Sequence, residues 1–238
     1  MQATQRTGFS GSALAGLLAR LSDTSVGYAG GSGADRLSQW FSWTDAISLA
    51  SALDGEPVAA PSAAPVPIDF VRDECARVRQ ALTEAIENDC APAPARPARP
   101  LPAGDPTAAP PPPDFAPLRR RYQTRQQAMQ ESIGRLRERL RERLAGHAPR
   151  LAALDAVMEH VLGAQERDLL AGLPARLEQR FKRLRDAAAA AADAAPEQPS
   201  IAWLAVLHDD MRALLLAELD LRFQPVNGLL EALRTTPH

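Results

Sequence analysis

Apolar side chains return every three or four residues along most of this chain, and no stretch alternates apolar with polar for the length of a strand. That spacing belongs to helices that bury one face, so the pattern predicts an all-α fold. Leu14, Leu17, Leu18 and Leu21 mark a short helix that Ser10 or Ser12 can cap. Residues 35–53 are predicted helical, with Leu37, Trp40, Phe41, Ile47 and Ala50 on one side and a second start at Thr44. Val71, Cys75, Val78, Leu82 and Ile86 define a single helix within 68–90. Leu118, Tyr122, Met129, Ile133, Leu136, Leu140 and Leu144 fall within about 80° of arc. Their helix runs from a cap at Asp114 to Leu144 and should be roughly 45 Å long. The next helix, 149–171, should turn Leu151, Leu154, Met158, Val161 and Leu162 inward. Gly172 and Pro174 mark a restart that carries Leu177, Phe181 and Leu184 into the alanine run 187–192.

Proline divides the pattern. Residues 55–67 hold four prolines among small residues, and 91–113 hold ten. Neither helix nor central strand survives that density, so both are expected to be linkers. The expected organisation is a disordered start (1–9), short helices (10–54), a Pro/Ala linker (55–67), one helix (68–90), a proline-rich linker (91–113) and a C-terminal bundle (114–236). Long helices with short connections should pack antiparallel.

The segment 201–233 departs from a simple stripe. Trp203, Leu207, Leu214 and Leu221 fall on one face, while Leu216, Leu219 and Phe223 fall nearly opposite. A helix apolar on most sides is covered on most sides, so this one should stand at the centre of the assembly or meet a partner. The second face (Leu216, Leu219, Phe223) is the candidate partner surface, covered either by the N-terminal region or by another chain. Trp40 and Trp43 are further interface candidates. Glu218 projects among apolar residues of the first face. A buried carboxylate needs a cation or a raised pKa, and Arg222, one turn on, is in place; Arg176 or Arg180 could serve instead. Glu218, Arg222 and Asp210 are therefore candidates for ion pairs that fix helix register. General acid catalysis by Glu218 and Asp210 is the lesser alternative.

Composition narrows this picture. The chain has 238 residues, 45% hydrophobic but only 5% aromatic, with a net charge of -2. The core must be built from aliphatic side chains, and no global field draws the chain to nucleic acid or membrane. Local charge is less even. Between 118 and 150 ten arginines face three glutamates. Arg119, Arg120, Arg121, Arg137 and Arg141 could form a phosphate-binding surface. However, the arginines surround the helix and no aromatics interleave with them for base stacking. Pairing with the acids of 201–233 is the preferred expectation, and nucleic-acid binding the alternative.

Nothing points to an active centre. The histidines form no HExxH, the chain has no CxxC, and Gly27–Gly33 lacks the end of a phosphate-binding loop. No catalytic residue, cofactor or metal site is assigned. Cys75 and Cys90 bracket one helix, roughly 22 Å apart, far beyond the ~7 Å reach of a disulfide. Unpaired thiols, with no signal peptide at the start, fit a cytoplasmic protein. No apolar run approaches the ~18 residues of a membrane span.

Four stretches carry a resemblance: RTGFSGSALAGLLARL, ADRLSQWFSWTDAISLASAL, FAPLRRRYQTRQQAMQ and LLLAELDLRFQPVNGLLEAL. Together they resemble a proteobacterial family catalogued as a domain of unknown function, number 3348. The resemblance implies no activity, cofactor or catalytic residue. It implies gene neighbours of MotA/TolQ/ExbB-like and OmpA-like kinds, and so an accessory of a proton-driven envelope machine. The combined expectation is a non-enzymatic cytoplasmic scaffold or adaptor that binds a protein partner or itself.

Overall fold

The structure, a computed structural model, describes residues 11–22, 42–54, 67–90, 113–194 and 202–235. Within them the chain forms helices and no strand. These are α1 (Gly11–Ser22), α2 (Trp43–Asp54), α3 (Ile68–Cys90), α4 (Ala116–Ala145), α5 (Pro149–Ala171), α6 (Leu173–Ala194), α7 (Ala202–Arg222) and α8 (Gln224–Thr235). The expected N-terminal disorder, Trp40 and almost all of both proline linkers lie outside the described residues. No described helix is long and apolar enough to cross a membrane.

Local chemistry explains the helix ends. The Asp114 carboxylate accepts the Ala116 N–H at 3.1 Å, which satisfies one free amide at the start of α4. At the other end the amides of His147 and Ala148 close on the Leu144 carbonyl, and Pro149 then starts α5 where no N–H is needed. Pro225 sits the same way in the first turn of α8. Ser42 and Asp45 hold the start of α2 reciprocally: the Ser42 hydroxyl accepts the Asp45 N–H, and the Asp45 carboxylate accepts the Ser42 N–H at 2.9 Å. This is a capping box.

Helix α4 is the long axis of the molecule. All seven residues of its expected stripe are buried. It packs against α3, α5, α6, α7 and α8. Helix α7 meets α1, α3, α4, α6 and α8, which accounts for apolar residues on both of its faces. Its second face is covered by the chain itself. Leu219 and Phe223 are each 1% exposed and Leu216 is half-buried. The Arg79 guanidinium of α3 stands 5.5 Å from the centre of the Phe223 ring. The expectation of a partner surface at Leu219 and Phe223 is therefore corrected in favour of its other branch, cover by the N-terminal region.

A second correction concerns α5. Leu151 is exposed, Leu154, Met158 and Leu162 are half-buried, and Ala152, Val161 and Leu170 are the buried residues. The leucines spread round this helix, so spacing alone did not select the faces that α4 and α2 cover. Cys75 and Cys90 are buried free thiols. Burial and the neighbouring Asp89 carboxylate push the Cys90 thiol up to about 11.

Candidate functional site

Among the described residues, the one acid wholly removed from solvent is Glu218. It lies on the face that α7 turns toward α4, and its carboxylate is ringed by donors. Arg222 donates from Nε to Oε1 at 2.9 Å, one helical turn away. The Tyr122 hydroxyl of α4 donates to Oε2 at 3.1 Å. The Gln126 amide, one turn along α4, reaches both oxygens at 3.2 and 3.0 Å and also the Leu170 carbonyl at 3.0 Å. Arg222 then turns its outer nitrogen to Glu166 of α5 at 3.2 Å. Three helices, α4, α5 and α7, are joined through one carboxylate and its partners.

Electrostatics follow from this geometry. Burial raises the Glu218 pKa above its ordinary value, and Arg222, Gln126 and Tyr122 oppose that rise without cancelling it. Burial and the adjacent carboxylate hold the Tyr122 phenol well above its ordinary range, so it stays a donor. Both Glu218 oxygens are occupied by the chain's own donors. Among the described residues, no group of three or more His, Cys, Asp or Glu side chains could hold a metal ion. The site can fix the register of α4 against α7.

Glu218 and Arg222 thus come together, while Asp210 stands apart and pairs with Arg180 of α6 at 3.0 Å. Tyr122, Gln126 and Glu166 were missed by sequence reasoning. A usable signal existed for Tyr122: a phenol within an otherwise aliphatic stripe must find a buried acceptor.

The arginines of α4 do not pair with the acids of α7 as expected. Arg139 and Arg143 bind Glu74 of α3 at 2.8 and 3.0 Å. Arg125 pairs with Asp89 of α3, and Arg121 donates to the Asp89 carbonyl at 2.7 Å. Arg137 holds Asp155 of α5 at 2.7 Å, and Arg141 binds Asp155 and Glu159. Arg119 pairs with Glu178 of α6. The α7 acid Asp220 goes instead to Arg79 of α3. The reason is geometric: α4 and α7 meet through their apolar faces, so charged flanks of each reach whichever third helix rises beside them. Of the five nucleic-acid candidates, Arg119, Arg137 and Arg141 are engaged with carboxylates and Arg121 with a backbone carbonyl, while Arg120 is exposed.

One helix breaks the pattern of burial. Helix α2 packs on α5 and has no buried residue. Its half-buried positions are Asp45, Leu49 and Ala52. The opposite side carries Trp43, Ile47 and Ala50, with Ala46 and Leu53 exposed along its edge; Trp43 is 81% exposed and Ile47 51%. Trp43, an interface candidate from sequence, is thus on an outward apolar stripe.

The chain belongs to the family described as "Protein of unknown function (DUF3348)", whose model matches residues 1–235. No curated protein and no solved structure matches it.

Proposed function

We propose that this member of the DUF3348 family is a non-enzymatic helical scaffold that receives a protein partner on the outward stripe of α2. The carrying observation is the inversion of that helix. Trp43, Ile47, Ala50 and Leu53 face solvent, while Asp45, Leu49 and Ala52 are the positions shielded on the side of α5. The shielded side carries a carboxylate and an alanine around a single leucine, while the outward side carries the tryptophan and the isoleucine, with Asp54 at its C-terminal end. A continuous exposed apolar row centred on a tryptophan is unfavourable in water and typical of an interface anchor. The row alternates large and small side chains, as suits a partner helix laid along it. One twelve-residue helix buries less than the ~800 Å² per partner of a standard interface, which fits a weak or transient contact.

The buried polar network supports the same reading from the other side. Glu218 is saturated by structural donors, which suits a scaffold better than a catalyst. Nucleic-acid binding through Arg119, Arg120, Arg121, Arg137 and Arg141 is the weaker alternative, because at Arg119, Arg137 and Arg141 phosphate would have to displace carboxylates already in place. The cytoplasm, beside a MotA/TolQ/ExbB-like or OmpA-like envelope complex, is the setting that the family resemblance suggests.

The test is affinity purification from the native host, comparing wild type with Trp43→Glu/Ile47→Glu by quantitative mass spectrometry. A protein recovered with wild type and lost with the double variant supports the scaffold. An identical set from both, or RNA released by salt, counts against it.

A further inference from the structure

A cleft of about 340 Å³ opens between α4 and α5, closed at one end by the start of α8. Because α4 and α5 run antiparallel, its lining sorts along its length. One end holds Arg137, Asp155 and Glu159, whose charges balance once Arg141, bound to both acids, is counted. The middle is apolar, with Ile133, Met158 and Leu162. The other end holds Glu166, Arg167 and Arg222.

Two glycines face this space, Gly134 from α4 and Gly163 from α5. Both lie in helix interiors, where glycine is about 1 kcal/mol less favourable than alanine. Close approach of a neighbouring backbone is the usual reason for such a glycine, and it does not apply here. A Cβ at Gly134 would meet no atom within 4 Å, and one at Gly163 would meet only the tip of Arg167 at 3.4 Å. The glycines keep volume open and do not serve helix contact. At Gly163 the bare backbone lets the Arg167 guanidinium lie along the cleft wall. Arg167 enters none of the ion pairs formed among the described residues. Arg222, on the floor beside it, has Glu218 behind and only the half-buried Glu166 in front.

We propose that this cleft binds a small amphiphilic anion, a carboxylate-terminated alkyl chain. The chain lies against Ile133, Met158 and Leu162, and the carboxylate sits at the arginine end, bonding Arg167 and competing with Glu166 for Arg222. The volume falls within the ~300–1,000 Å³ of small-molecule sites. This site is separate from the α2 stripe and stands or falls without it.

Isothermal titration calorimetry of the full chain with octanoate and octanol tests the proposal. Octanoate is expected to bind at one saturable site, with octanol about tenfold weaker or worse, since it lacks the charge. Gly134→Leu meets open space at its Cβ and is expected to abolish binding while its melting temperature holds or rises. Arg167→Gln, at an exposed position, is expected to weaken octanoate about tenfold with the fold unchanged, and it tests the site whether or not Gly134→Leu folds. Absence of saturable binding, octanol equal to octanoate, or wild-type affinity in either variant would overturn the proposal.

Discussion

Helices α4 and α2 are both amphipathic, and they face opposite ways. Helix α4 turns seven apolar residues inward and its arginines toward α3, α5 and α6. Helix α2 turns its tryptophan and isoleucine outward and buries nothing completely. An apolar stripe therefore identifies a face that something covers. Only the packing tells whether the cover is the same chain or another molecule. In α4 the stripe holds the fold together; in α2 it stays exposed, and a partner is proposed to cover it.

The largest expected effect lies on the α4 side of this contrast. Glu218→Ala leaves Arg222 buried with only Glu166, and strips Tyr122 and Gln126 of their acceptor. Breaking a buried pair in this way costs about 3–5 kcal/mol, or roughly 10 °C in melting temperature for a chain of this size. Thermal denaturation followed by circular dichroism reads it. A melt within a degree of wild type would remove the carboxylate from the account of how α4 and α7 are held.

Next in size is the flank of α4. Burial alone would raise Glu74, but its bonds to Arg143 and Arg139 overcome that and hold its carboxyl below the ordinary value of 4.5. A depressed carboxylate stabilises the fold above the unfolded value, and that contribution is lost as pH falls through the lowered one. Glu74→Gln should therefore cost about 1 kcal/mol near neutral pH. The difference from wild type should vanish in acid. An equal gap at all pH values would assign the loss to packing instead of charge.

Glu218 should behave in the opposite sense. Its pKa is raised from 4.5, so the fold favours its neutral form. That contribution is complete below the ordinary value and is lost as pH rises through the raised one. Glu218→Gln removes the titration while keeping volume, so the difference between its melting temperature and that of wild type should shift in the variant's favour as pH rises from about 4.5. Parallel pH profiles would show that Glu218 titrates alike in the folded and unfolded chain.

The two helices also differ in how readable they were. The α4 stripe was legible residue by residue, because one narrow apolar arc admits one buried face. The pair Glu218–Arg222 was legible because both lie one turn apart on a helix apolar nearly all round. What covers the second face of α7 was not, since spacing within a helix carries no information about which distant segment packs on it; α3 packs along α7 and sets Arg79 over Phe223. The pairing of arginines with acids failed for the same reason. Long side chains on a flank choose the nearest third helix, and helix order in space is not a local property. For α2 the spacing placed Ile47 and Ala50 together on one side, and periodicity could not say that this side points outward.

The smallest expected effect is the most telling. Trp43→Glu/Ile47→Glu removes the two most exposed large apolar residues of α2 while leaving Asp45, Leu49 and Ala52 on the side of α5. If the stripe serves a partner and not the fold, the purified double variant should melt within about 1 °C of wild type, as exposed substitutions do. A fall of several degrees would contradict the account, because it would mean that Trp43 and Ile47 are held by the chain itself.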